Sequence, residues 1–288
     1  MLILYDPRCA EYGDPLRPER GDRVLRVAKH LRAEHPEWKW MAPLTSVSDE
    51  SLLLAHTASH LARLEETCDF DSDTPYFPGI AIHARRSVAA AIEAASHALD
   101  HNTPVFSLMR PPGHHATANA AMGFCYLNQV AVAALVAQRN FGAVRIAVWD
   151  FDAHHGNGTE AIFLNKPGLL YCSVHEFPAY PGTGTSDIGN SRNWPVHPLT
   201  PRPDHMASLR ASWDAIVGFR PDLVIVSAGF DAYARDPITS MTLEKEDFAE
   251  LGTWLHSSGL AVASILEGGY SEELPSLVDA FLSAWTHT

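Results

Sequence analysis

The sequence predicts an α/β fold, a single-domain layer structure with a mostly parallel central sheet and helices on both faces. Three features predict it. Six short apolar runs with little polar alternation have the character of strands buried on both faces. Longer segments with apolar positions at helical spacing separate them. Polar clusters follow the carboxyl ends of the strands, where open α/β sheets bind ligands.

In chain order the strands are residues 2–5, 105–109, 144–150, 169–174, 223–227 and 261–266. The helical segments are the alanine-rich 80–100, then 127–139, 205–219, 246–257 and a closing 272–286. Gly218 and Pro221 supply a stop for the third of these. The proline and glycine clusters at 110–113, 178–189 and 195–203 are short, and no repeat or linker divides the chain. Residues 1–288 therefore read as one domain.

Composition narrows the function. With 46% hydrophobic and 19% charged residues, the 288-residue chain has a globular rather than a disordered composition. Its 21 basic residues against 34 acidic ones give a net charge of −13, which argues against non-specific nucleic-acid binding. Cys9, Cys68, Cys125 and Cys172 are far apart and form no CxxC pair, so free thiols in a reducing compartment are expected. The N-terminus has no basic leader, and no apolar run approaches the ~18 residues of a membrane span. The expected location is cytoplasmic, with no membrane partner. The sequence carries no signal for oligomeric state.

Five polar clusters follow five of the strands. They are Arg110-Pro-Pro-Gly-His114-His115, then Asp150-Phe-Asp152-Ala-His154-His155-Gly-Asn157, then His175, then Gly-Phe-Asp231, then Glu267-Gly-Gly-Tyr270. Asp150, Asp152 and His154 are spaced by two, and in extended backbone such residues share a face. With Asp231 added, Asp152, His154 and Asp231 make a nitrogen-and-oxygen set with one open position, the catalytic arrangement for zinc rather than the closed structural one. Singly, Asp152 or His154 reads equally well as a turn former or helix cap. Two acids and two histidines within residues 150–155 exceed what capping requires. His114 and His115, fixed by two prolines at the neighbouring strand end, can supply the base that such a site needs. Asp231 alone reads also as an N-cap, and Tyr270 as a core tyrosine, although Gly268-Gly269 favours a tight turn holding its ring at the site. Phe124 and Tyr180, taken alone, read as loop packing.

These motifs resemble a known family. Arg110-Pro-Pro-Gly-His-His-Ala116, Gly123-Phe-Cys-Tyr-Leu-Asn128, Asp150 to Gly158, Tyr180-Pro-Gly-Thr-Gly184, Ser227-Ala-Gly-Phe-Asp-Ala232 and Gly268-Gly-Tyr270 resemble the zinc-dependent histone deacetylase and acetylpolyamine amidohydrolase superfamily. The likeness runs in order from about residue 17 to residue 270, and the 150–159 segment is similar to the class II branch and its bacterial relatives.

The resemblance implies the arginase–deacetylase fold and Zn2+ held by Asp152, His154 and Asp231. It implies a structural K+ or Na+ beside it at Asp150, Asp152, His154, Ser173 and Val174, partly through backbone oxygens. His115 would be the base with Asn157 as its partner, His114 would pair with Asp150, and Tyr270 would donate to the developing oxyanion. Gly123, Phe124 and Tyr180 would line the acyl-lysine tunnel, with Tyr180 where most members have phenylalanine. Asp73 would hold the substrate backbone at the rim. Arg23 would lie near the internal product channel, in a loop where Arg17 replaces the usual histidine.

The implied reaction is hydrolysis of an acetylated peptide or small-molecule amine to acetate and free amine. Ile238 stands where polyamine-selective relatives carry an acid, while Asp236-Pro-Ile resembles bacterial acetylpolyamine enzymes, so acetyl-lysine, acetylpolyamines and longer acyl groups all stay open. Two other readings compete: a two-metal arginase-like hydrolase, and a non-catalytic binder of acetylated ligands. The binder would be expected to lose a ligand, base or tyrosine, and all three remain.

Overall fold

The apolar runs pair side by side in a computed structural model that describes residues 1–43 and 47–286. The strands are β1 Leu2–Leu4, β2 Lys39–Met41, β3 Val105–Ser107, β4 Ile146–Asp150, β5 Leu169–Glu176, β6 Ser191–Val196, β7 Leu223–Ala228 and β8 Val262–Leu266. They form one sheet in the order β2-β1-β3-β8-β7-β4-β5-β6, and every pairing is parallel. The four central strands β3, β8, β7 and β4 are buried at every position, in keeping with their mainly apolar sequences.

The helices are α1 Asp22–Glu34, α2 Asp49–Leu52, α3 Ala58–Arg63, α4 Ile80–His101, α5 Gln129–Asn140, α6 Asn157–Phe163, α7 Arg202–Phe219, α8 Lys245–Ser258 and α9 Leu274–Thr286. They pack in two groups. α4 lies against α5, β3 and β8, while α8, α9 and α1 pack together and α7 covers β4 and β5. One side chain of β4 places α7 and α8 on the same face of the sheet. Trp149 packs at a tilt against Trp213 of α7 and Trp254 of α8, with ring centroids 4.8 and 6.2 Å away. Among the described residues no helix is long and apolar enough to cross a membrane.

The strands and helices expected from sequence are present, with ends shifted by a few residues. Two edge strands and several short helices were not foreseen. β2 is three residues long with Lys39 and Met41 exposed, too short to show a pattern. β6 contains Pro195, which a sheet tolerates at an edge, and it falls partly in a proline cluster that reads as loop. α1 buries Val24, Val27, Ala28 and Leu31, a helical stripe within an otherwise charged segment. β5 runs on to Glu176, so His175 lies within the strand rather than after it.

The sheet order has a direct functional consequence. The five strands followed by, or in one case containing, polar clusters are β3, β8, β7, β4 and β5, and these are consecutive neighbours. Their carboxyl ends therefore open on one rim of the molecule.

Candidate active site

β4 ends on Asp150, and the chain bends directly after it. The expectation that Asp150, Asp152 and His154 share a face of extended backbone is therefore corrected. Asp152 Oδ1 instead accepts the His154 backbone N–H at 2.9 Å, closing a turn that swings both side chains together. Phe151, directly before Asp152, points into the core, its ring 5.9 Å from Phe230 and 5.5 Å from Phe281. Phe230 in turn sits beside Asp231. Each acid is thus pinned by an adjacent buried ring, whose removal to alanine costs about 3–5 kcal/mol in typical cores.

The result is a compact donor set. His154 Nδ1 lies 3.3 Å from Asp152 Oδ1 and 2.9 Å from Asp231 Oδ2. One ligand atom from each of the three residues falls within 4.8 Å of the others. The outer oxygens are satisfied: Ala153 N–H donates to Asp231 Oδ1 at 2.8 Å and Gly268 N–H to Asp152 Oδ2 at 2.8 Å. A Cβ at Gly268 would lie 2.4 Å from Asp231 Oδ2 and 2.5 Å from Asp152 Oδ2, so only glycine lets the β8 end close on these carboxylates.

The electrostatics of this set suit a cation. Burial disfavours charge on Asp152, but His114 and His154 outweigh it and hold the carboxyl well below its usual range. Asp231 is pushed up by burial and by the charge of Asp152. Burial likewise opposes a proton on His154, yet its hydrogen bonds to the two carboxylates raise its pKa well above normal. Two buried carboxylates need a compensating positive charge, and a proton on His154 and a bound divalent ion are alternatives at the same place. One imidazole and two carboxylates are a donor set for zinc.

The two adjacent histidines face different partners. His114 Nδ1 lies 3.1 Å from Asp150 Oδ2, which also accepts the Tyr171 hydroxyl at 2.9 Å. His115 Nδ1 lies 2.9 Å from Asn157 Oδ1, at the start of α6. Asn128 braces this loop from below: it caps α5 through Ala131 N–H and donates to Ala116 O and Thr159 Oγ1, both at 3.1 Å. The partners separate the rings electrically. Burial would keep His114 neutral, but Asp152 and Asp150 outweigh it and push its pKa up to about 10. Burial together with the charges of His114 and His154 lowers His115 well below normal, and Asn157 adds no charge to oppose this.

Tyr270 completes the rim from the end of β8. Its phenol pKa is raised well above normal by burial, with the Arg23 guanidinium 4.5 Å above the ring acting in the other direction. Arg23 also donates to Gly269 O at 2.7 Å and Glu267 O at 2.8 Å. The Glu267 carboxylate reaches across to accept the Gly113 N–H at 2.6 Å, joining the Tyr270 turn to the histidine loop.

All of this opens into one cavity of about 320 Å³, lined by His114, His115, Asp152, His154, Gly123, Phe124, Cys125, Tyr180, Ile238, Gly268, Tyr270, Asp73, Arg17, Pro18 and Pro112. The His115 ring meets Tyr180 edge-on at 5.1 Å, and Phe124 lies 5.9 Å from Tyr270. Aromatic rings thus flank the path down to the donor set.

A family model described as the histone deacetylase domain matches residues 15–285. The chain belongs to the histone deacetylase family. A probable deacetylase of Methanothermobacter thermautotrophicus is 34% identical over 288 residues, covering 95% of this chain and 86% of the relative. A histone deacetylase-like amidohydrolase of Pseudomonas aeruginosa is 37% identical over 246 residues, covering 78% of this chain and 64% of the relative. The crystal structure of an acetylpolyamine aminohydrolase from Burkholderia pseudomallei superposes with a TM-score of 0.92 at 25% identity, covering 99% of this chain and 98% of that one. Family and relatives make this chain a deacetylase-type amidohydrolase.

Against this histone deacetylase framework, the candidate residues divide by position. Asp152, His154, His114, His115, Tyr270, Gly123, Phe124, Tyr180, Asp73 and Ile238 line the cavity. Asp231, Asp150 and Asn157 stand behind it as partners of those side chains. Ser173 is the register partner of Asp150, and its hydroxyl meets His175 Nδ1 at 2.8 Å. Val174 is buried in β5 beside it. Sequence reasoning missed Tyr171, because it sits in an apolar strand run, and the bracing roles of Asn128 and Glu267, because their contacts are long-range. Glu267 did carry one signal, an acid directly after a buried strand.

Proposed function

We propose that this protein is a zinc-dependent deacylase that hydrolyses the acyl amide of acetyl-lysine or a related acetylated amine. The observation that carries the reading is the convergence, in one aromatic-walled cavity, of the Asp152–His154–Asp231 donor set, the polarised His114–His115 pair and the Tyr270 phenol. Residues 1–288 would act as one catalytic domain.

Zinc held by Asp152, His154 and Asp231 would supply Lewis-acid polarisation of the acyl carbonyl and of a water molecule. The chain's own residues account for the remaining steps. His115, kept neutral and oriented by Asn157, accepts the proton of the attacking water. His114, held protonated by Asp150 and Asp152, keeps positive charge beside the reacting centre. Tyr270 stays protonated because of its burial and donates a hydrogen bond to the oxygen that gains charge as water adds. The C–N bond then breaks, and the proton taken by the histidine pair passes to the departing amine, leaving acetate and free amine. A K+ or Na+ held by Asp150, Asp152, His154, Ser173 and Val174 would be structural, supporting the same loop.

Substrate choice is tested by kinetics on matched acetyl-lysine peptides, acetylpolyamines and longer acyl-lysines. We expect turnover of acetyl-lysine peptides that is lost on metal removal and restored by zinc. An enzyme that turns over only acetylpolyamines would move the assignment to that class, and a zinc-loaded protein inert on every acyl amide would support the binding-module alternative.

A further inference from the structure

We propose that Asp236 is a positioning residue for Tyr270, fixing the backbone that presents the phenol and tying it to the loop that carries Ile238. The inference rests on the deacylase reading for its kinetic consequence, but its geometry stands apart from it.

Asp236 lies in the loop after β7, five residues beyond Asp231, and is only 6% exposed. Its Oδ2 accepts the backbone N–H of Tyr270 at 2.7 Å and of Ser271 at 3.1 Å, while Oδ1 accepts that of Ile238 at 3.2 Å. One buried carboxylate therefore ends three backbone donors from two segments that the sequence separates by more than thirty residues. Asp236 does not line the cavity, so it acts only through the residues it holds.

The Tyr270 turn needs such an anchor. Gly269 has φ +113°, a region open to glycine, and the Gly268-Gly269 pair has little conformational stiffness of its own. Arg23 fixes the carbonyl side of this turn at Glu267 and Gly269. Asp236 fixes its N–H side. The anchor is itself held: Asp236 N–H donates to Tyr233 O at 2.9 Å, and the Thr239 hydroxyl bonds to Asp231 O. A continuous hydrogen-bonded path therefore runs from the Asp231 segment, through Asp236, to the phenol's backbone and to the Ile238 wall. Substrate entering past Ile238 meets a surface mechanically linked to the oxyanion donor. In its ionised form a carboxylate is the right group here, because both oxygens then only accept. An amide in its place turns an N–H₂ group toward backbone N–H donors on one side.

The test compares wild type, Asp236→Asn, Tyr270→Phe and the double variant on acetyl-lysine and trifluoroacetyl-lysine peptides. Amide exchange over residues 269–271 and zinc content are measured alongside. The electron-poor trifluoroacetyl carbonyl keeps turnover measurable without the phenol. We expect Asp236→Asn to lower kcat on acetyl-lysine by about 10- to 100-fold with KM changed less than about threefold. We expect faster exchange at 269–271 with zinc content unchanged. In the Tyr270→Phe background the same change should cost less than about threefold, because the group it positions is gone. Equal losses in both backgrounds, or unchanged exchange at 269–271, would overturn the proposal. A wild type without turnover would sink the deacylase reading, while the exchange data would still decide whether Asp236 pins the turn.

Discussion

At the residue scale, function turns on small groups whose surroundings set their protonation. Tyr270 is kept protonated by burial and lines the same cavity as Asp152 and His154. Tyr270→Phe is expected to lower kcat by about 10²- to 10³-fold with zinc retained, as for other lost oxyanion donors; steady-state kinetics with metal analysis checks this, and an unchanged kcat would remove the phenol from the mechanism. His115→Ala is expected to abolish measurable turnover without loss of metal, since the ring belongs to the base and not to the donor set; retained activity would shift the base role to His114. The triad was legible from sequence because two of its members lie two residues apart and the third closes a neighbouring strand. Its geometry was not. The bend after Asp150 depends on the His154 N–H closing onto Asp152, which spacing alone does not reveal.

At the element scale, the site is built by strand ends and by the loops that leave them. The buried strands were readable as largely apolar runs, but their order, which brings five polar strand ends to one rim, depends on tertiary pairing that no local pattern records. The edge strands β2 and β6 were not, because an edge need not be apolar and can contain proline. Contacts between loops, such as Glu267 to Gly113 or Asn128 to Thr159, depend on tertiary closure and leave no local pattern. The close approach of the β8 end to the carboxylates gives a sharp prediction. Gly268→Ala would force its Cβ against Asp152 and Asp231, so zinc content should fall well below one per chain while far-ultraviolet circular dichroism stays native. Full zinc occupancy in that variant would show that the loops have more room than the structure allows.

At the scale of the whole molecule, buried neutral histidines outside the cavity lining tie stability to pH. Burial lowers His205 to about 4, and burial with the neighbouring His60 charge lowers His56 to about 4. Their unfolded values are near 6.5. Between these limits the unfolded chain binds more protons at these two rings than the folded one, so their contribution to stability is complete above about pH 6.5 and is lost as pH drops toward 4. Thermal unfolding should show this slope, and His205→Phe, which removes a buried titrating ring, should flatten it; a slope unaltered by that change would assign it to other groups. The most direct measurement of the zinc-deacylase assignment is metal stoichiometry against turnover. Wild-type protein, zinc-loaded and then desalted, should carry one zinc per chain and hydrolyse an acetyl-lysine peptide, and Asp231→Asn should lose both together. Two ions per chain, or turnover that persists after the metal is gone, would contradict it.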